Sequence, residues 1–64
     1  MKTTMIHTRS QQALAVVAHH GTAVQIQAAK VIARDARYQA ERGDAFCALQ
    51  SLRSLQRMAS EVAE

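Results

Sequence analysis

With 64 residues the chain has room for one domain, and a domain this small buries too little surface to be stable by a wide margin. Its single cysteine excludes an intramolecular disulfide, no Cys/His cluster has zinc-like spacing, and no segment approaches the roughly 20 apolar residues of a membrane-spanning helix. The net charge of +3 permits contact with nucleic acid or an acidic protein surface.

The composition favours helix along the whole chain. It contains no proline and two glycines, and much of its apolar content is alanine, which suits thin helices packed closely together. Because neither a disulfide nor a metal site reinforces the domain, we expect a homodimer. The lone thiol of Cys47 is typical of a reducing compartment, which predicts a cytoplasmic protein, and the lack of a long apolar segment predicts no membrane partner.

The first nine residues differ from the rest of the chain. Several of them are β-branched, which lowers helix propensity, so residues 1–9 are expected to form a flexible or strand-like arm. Ser10 is the first residue suited to cap a helix. Residues 10–64 are therefore expected to form a single helical domain.

Two interpretations compete at Gly21. In the first, Gly21 ends a helix and Thr22 caps the next one, with Gln25 completing a capping box, which gives three helices. In the second, one long helix spans about residues 10–42, because the glycine costs only about 1 kcal/mol there and the apolar stripe passes through it without a shift in phase. We favour the long helix. The stripe consists of Leu14, Val17, Gly21, Val24, Ala28, Val31, Asp35 and Tyr38.

A tight turn is predicted at Gly43 and Asp44, since glycine can adopt the left-handed conformation that closes a helix and aspartate can cap the next one. A second helix then spans about residues 45–62, which makes an αα-hairpin. The surrounding residues resemble the inter-helix turn of a tetratricopeptide repeat, and this resemblance implies a hairpin, although one copy does not make a repeat scaffold. The resemblance rests on Ala36, Gly43, Asp44, Ala48, Leu52 and Leu55.

Two stripes are expected to face each other within the hairpin. A stripe made mostly of alanine lets the helices approach closely, and larger side chains from the last helix fill the space above it. The first stripe is Ile26, Ala29, Ala33, Ala36 and Ala40, and the second is Leu49, Leu52, Leu55, Ala59 and Val62, with Met58 beside it. The remaining stripe then has no partner in the chain, which predicts an all-α homodimeric helical bundle formed through the first helix.

The exposed side of the first helix combines apolar and basic residues. This combination predicts a small regulatory or inhibitory protein that binds another protein through a helical surface with an acidic counterpart. No catalytic or cofactor motif is evident, so neither enzymatic activity nor a cofactor or metal is expected. The predicted protein-binding residues are Val24, Val31, Arg34, Tyr38 and Arg42.

An alternative function is DNA or RNA binding by a dimer. The order of arm, helix, Gly21-Thr22 turn and helix resembles a ribbon-helix-helix protein, which implies that paired strands from residues 1–9 enter the major groove. By position, the base-reading side chains would be Thr4, Ile6 and Thr8, or their alternates Thr3, Met5, His7 and Arg9. Basic residues suited to nucleic acid are Arg9, Lys30, Arg34 and Arg37.

Overall fold

A computed structural model of the chain describes residues 2–64, and their side chains from Thr4 onward. These residues form three α-helices of 19 residues each and no strand: α1 (Lys2–His20), α2 (Ala23–Glu41) and α3 (Ala45–Ala63). Each helix packs against both others, and the longest dimension of 31 Å matches helices about 28 Å long lying side by side. The predicted all-α class is confirmed. Within residues 2–64 no helix combines the length and hydropathy needed to cross a bilayer.

The helix is interrupted at Gly21, so the prediction of one long helix over residues 10–42 is wrong. The Gly21 amide donates to the Val17 carbonyl at 2.7 Å, which closes α1. Thr22 then starts α2 with a complete capping box: its hydroxyl accepts from the Gln25 amide at 3.2 Å, and the Gln25 side chain accepts from the Thr22 amide at 2.8 Å. The three-helix interpretation is therefore the one that the structure supports.

The apolar stripe passing through Gly21 was misleading because its two halves face different surroundings. Val17, on α1, is 0% exposed, whereas Val24, on α2, is 80% exposed. An apolar stripe that keeps its phase in the sequence can span two helices, so it does not require one continuous helix. Because the chain reverses direction at Gly21, the α1 half of the stripe packs into the core, with Leu14 half-buried at the edge of the core. The α2 half of the stripe lies on the surface.

Residues 2–9 are helical, where a flexible or strand-like arm was expected. Ile6 is buried against α2 and α3, and burying an isoleucine is worth on the order of 1.5–3 kcal/mol, which outweighs the weak helix propensity of the β-branched residues. Ser10 lies in the middle of α1 and is not a cap. The strand implied by the resemblance to ribbon-helix-helix proteins is thus absent from residues 2–9.

The turn between α2 and α3 uses both of the caps expected there. Gly43 has φ +83°, and its amide donates to the Ala40 carbonyl at 3.1 Å, while the Asp44 amide donates to the Gln39 carbonyl at 2.9 Å. This is the Schellman pattern of hydrogen bonds. The Asp44 carboxylate accepts from the Cys47 amide at 3.1 Å and so caps α3.

The core lies where the alanine side of α2 meets α1 and α3. All four buried residues of α2 are alanines, so the bulk comes from the neighbouring helices, whose largest fully buried side chains are Ile6, Val17 and Leu55. Leu49, expected to face the alanine stripe, is 38% exposed. The buried apolar residues form two clusters: Ala13, Val17, Ala29, Ala33, Leu55 and Ala59, and Ile6, Ala36, Ala40, Ala48 and Leu52.

Substituting Gly21 by alanine distinguishes a helix that ends at Gly21 from one that continues through it. An added Cβ would lie 2.7 Å from the Val17 carbonyl oxygen, a backbone atom that cannot move aside cheaply. We expect Gly21→Ala to lower the free energy of unfolding by about 1–3 kcal/mol, as overpacking does. A continuous helix would instead gain about 1 kcal/mol. Urea denaturation followed by circular dichroism measures the sign, with the exposed Ser54→Ala as the control.

The Asp44 cap predicts a pH dependence. The hydrogen bond from the Cys47 amide lowers the pKa of the Asp44 carboxyl from its ordinary value of 3.8, with smaller help from the charge of Arg42. Because the folded-state pKa lies below the unfolded value, the cap stabilises the protein above about pH 4 and is lost as the pH falls through the folded pKa.

Asparagine caps a helix about as well as aspartate but does not titrate in this range. We therefore expect the melting temperature of the wild type to fall more steeply than that of Asp44→Asn below about pH 4. Thermal melts of both proteins across this range provide the measurement. Parallel curves would show that the carboxylate contributes nothing to the cap.

Candidate functional site

The exposed side of α2 carries a line of large apolar side chains. Val24, Val31 and Tyr38 follow one another at seven-residue intervals, close to two helical turns, so they lie along one line. They are 80%, 47% and 57% exposed, and they lie opposite the buried alanines of the same helix. We call this line the outer face. Three of the five predicted protein-binding residues form it.

The other two predicted residues, Arg34 and Arg42, are exposed on α2 and in the turn that follows it. Arg42 contacts Tyr38 directly. Its Nη1 donates to the Tyr38 hydroxyl at 2.6 Å, and its guanidinium carbon lies 5.4 Å from the centre of the ring. This cation–π contact and the hydrogen bond hold the tyrosine in one orientation, although both groups remain open to solvent.

A partly open groove of about 220 Å³ runs between α1 and α2, next to the outer face. Three of the four residues predicted to suit nucleic acid line it, and Arg34 belongs both to this set and to the predicted protein-binding set. We call it the α1/α2 groove. Its lining residues are His7, Ser10, Gln11, Leu14, Lys30, Ala33, Arg34 and Arg37.

One carboxylate lies beside the basic side of the groove. Glu41 Oε2 accepts a hydrogen bond from Arg37 Nε at 3.2 Å, the four-residue pairing expected for a solvated ridge, and lies 3.9 Å from His7 Nε2. Both partners of the arginine pair are largely exposed, so the pair adds at most a few tenths of a kcal/mol to stability. Within residues 4–64, Lys30 and Arg34 form no ion pair.

Arg9, the fourth of these basic residues, is not part of this groove. It lines a separate cleft of about 210 Å³ between α1 and α3, together with Gln12, Val16 and Gln56. The side of α1 that carries Arg9 packs towards α3, whereas the side that carries His7 packs towards α2. The structure thus gathers Lys30, Arg34 and Arg37 and separates them from Arg9.

Among the described side chains of α1, from Thr4 onward, two buried polar atoms have no hydrogen-bond partner: His7 Nε2 and Ser10 Oγ. Ser10 is only 4% exposed, and an unpaired buried hydroxyl costs about 1–3 kcal/mol. The sequence analysis placed Ser10 in no site and considered His7 only as an alternate base-reading residue. A signal was present, since Ile6, Ser10, Ala13 and Val17 follow a helical three-four spacing in which the serine is the only polar member.

Cys47 is poorly suited to act as a nucleophile. Its hydrogen bond with Asp44 raises the pKa of the thiol, and partial burial and the negative charge of the carboxylate act in the same direction. The thiolate is the reactive form of cysteine, and the raised pKa disfavours its formation.

His19 and His20 stack edge to face at the end of α1, with ring centroids 4.7 Å apart. The described part of the chain has no cluster of three or more potential metal ligands.

Comparisons with protein-family models, with curated proteins and with solved structures found no match.

The unpaired hydroxyl of Ser10 predicts a stabilising substitution. Ser10→Ala removes the buried polar atom and introduces a better helix former, so we expect the free energy of unfolding to rise by about 1 kcal/mol. Ser51 is the matched control, because its hydroxyl is hydrogen bonded to the Gln39 side-chain amide at 2.7 Å. Ser51→Ala should lower the stability by about 1 kcal/mol. Chemical denaturation of the two variants tests both signs, and a loss in Ser10→Ala would contradict the unpaired state.

Proposed function

We propose that this chain is a small, non-enzymatic regulatory or inhibitory protein that binds another protein through the outer face of α2. The observation that supports the proposal is the outer face itself: Val24, Val31 and Tyr38, in line and exposed, on a helix whose opposite side already fills the core. Single exposed apolar residues are ordinary on protein surfaces, but several of them along one side of a helix are typical of a helix that docks into an apolar groove.

The composition of this surface also suits an interface. Tyrosine and arginine are enriched among the residues that carry most of the binding energy. The contact between Arg42 and Tyr38 favours one orientation of the ring before binding, which reduces the entropy lost when the partner docks. Of the outer face and its flanks, Tyr38 is therefore the residue on which binding should depend most.

The apolar line alone leaves little binding free energy to spare. Burying its three side chains contributes about 4.5–9 kcal/mol, at about 1.5–3 kcal/mol each, which lies within the estimated 4–15 kcal/mol that association costs. The flanking arginines must therefore find acceptors. A partner with an apolar groove and an acidic rim supplies both, since Arg34 and Arg42 lie beside the apolar line, and of the two acids of α2 Glu41 is already paired with Arg37.

The homodimer expected from the sequence remains part of this proposal, but with a smaller interface than expected. Val17 is buried inside the chain and Leu14 is half-buried, so the seam left for a second copy is the outer face of α2. A second copy presents the same excess of arginine over acid, which gives it poor charge complementarity. We therefore assign the outer face to an acidic-rimmed partner, and self-association through the same face competes with it.

DNA or RNA binding is the second candidate, favoured by the grouping of Lys30, Arg34 and Arg37 along one groove. With three phosphate contacts, the affinity for double-stranded DNA would fall about forty-fold between 50 and 200 mM salt. Docking to a protein through the outer face combines apolar burial with two arginine contacts, so its affinity falls less steeply with salt. The salt dependence of the affinity thus separates the two candidates.

Substitutions on the outer face test the proposal. A photo-crosslinker placed at Val31 captures the partner, and the same crosslinker at Phe46 controls for nonspecific capture, because Phe46 is also exposed but lies on α3. For the protein captured only from Val31, we expect Tyr38→Ala to weaken the affinity about thirty-fold, as the loss of a hot spot of at least 2 kcal/mol implies. Isothermal titration provides the dissociation constants.

Phe46→Ala is the matched control for Tyr38→Ala, because it removes an aromatic ring of similar exposure from another helix. Both variants should keep the helical content of the wild type, since neither ring is part of the core. Equal affinities for wild type and Tyr38→Ala, or equal losses in the two variants, would refute docking through the outer face.

A further inference from the structure

The α1/α2 groove has the features of a small anion site. Its rim carries three cationic side chains from consecutive turns of α2, Lys30, Arg34 and Arg37, and α1 supplies the buried Ser10 and the half-buried His7 on the opposite side. We propose that this groove binds the phosphate group of a small phosphorylated molecule. The proposal shares Arg34 with partner docking through the outer face, but none of Val24, Val31 and Tyr38 lines the groove.

The charges in the groove are not balanced by the protein itself. Glu41 engages Arg37 and lies near His7, but Lys30 and Arg34 have no acidic partner within residues 4–64. Lys30 and Arg34 are four residues apart, so their side chains leave the helix on the same side, about one turn from each other. A doubly charged phosphate placed between them would meet an ammonium and a guanidinium, the two donors that proteins use most for this group.

The unpaired atoms on α1 point to a ligand independently of the charges. The hydroxyl of Ser10 is buried at a position that lines the groove, and it has neither donor nor acceptor in the protein. His7 Nε2 also lacks a hydrogen bond, but it lies 3.9 Å from Glu41 Oε2, so a carboxylate already faces it. A buried polar group left unpaired requires an explanation, and a phosphate oxygen in the groove would accept a hydrogen bond from the Ser10 hydroxyl.

The placement of the basic residues favours a compact ligand over a nucleic acid strand. A volume of about 220 Å³ corresponds to roughly seven water molecules at about 30 Å³ each, enough for a phosphate group and part of its substituent. A strand requires a basic track that continues along the backbone. Here Arg9 lies in a different cleft, between α1 and α3, so the positive charge does not continue along α1.

The test is a titration of the isotope-labelled protein with inorganic phosphate, followed by amide chemical shifts. Sodium chloride and sodium acetate at equal ionic strength are the reference titrations. We expect saturable shifts confined to residues 7–14 and 30–37 that neither reference salt produces. The double variant Lys30→Gln/Arg34→Gln should weaken phosphate binding at least about tenfold, since each removed donor made a charge-assisted hydrogen bond.

The matched control is Arg53→Gln/Arg57→Gln, which removes the same charge from two exposed arginines of α3 that are also four residues apart. This variant should bind phosphate like the wild type. Ser10→Ala should also bind phosphate more weakly while being more stable than the wild type, a combination that a purely structural serine would not show.

Three outcomes would overturn the proposal. Equal losses in the two double variants would show that net charge, and not the groove, attracts the anion. Equal shifts with acetate would assign the groove to a carboxylate. Shifts that require a short oligonucleotide and are absent with inorganic phosphate would assign the basic residues to nucleic acid. None of these outcomes changes the effect of Tyr38→Ala on partner binding, so the two proposals fail separately.

Discussion

The reversal of the chain at Gly21 is the constraint on which the rest of this structure depends. The Gly21 amide closes α1 on the Val17 carbonyl, and a side chain at position 21 would collide with that same oxygen. Without the reversal, α1 would continue along the axis of α2, and the alanine side of α2 would have only α3 to pack against. With the reversal, α1 returns along α2, completes the core with Ile6 and Val17, and forms the groove.

The division of α2 into two sides follows from this arrangement. Its inner side consists of alanines, so two other helices approach it closely. The side chains of Ile6, Val17 and Leu55 on those helices fill the remaining space. Its outer side keeps three larger apolar side chains that contribute nothing to that core. These exposed valines and the tyrosine are the side chains on which the proposed partner binding rests.

Ser10 shows the same conflict between stability and function at a single residue. An alanine there would fit the helical apolar spacing of α1 and would leave no hydroxyl unpaired, so it would make a more stable protein. Departures from the residue that packing favours are expected where a protein binds something. Ser10 lines a groove with two unpaired cations, so we relate the stability lost at this position to the proposed phosphate site.

The sequence by itself determined the features that depend on neighbouring residues: the helical class, the Gly43-Asp44 turn, the alanine side of α2, and the seven-residue spacing of Val24, Val31 and Tyr38. Caps and helical faces are local, so a few adjacent side chains are enough to specify them.

Only the tertiary structure decided the break at Gly21, the helical state of residues 2–9, and the meeting of Ser10 with Lys30 and Arg34. At Gly21 the local signals allowed both a cap and a continuous helix, and near Ile6 the local propensity opposed helix. In both places the outcome depends on burial against residues that are distant in the chain. Sequence periodicity identifies which side of a helix is apolar, but it does not identify which helix covers that side.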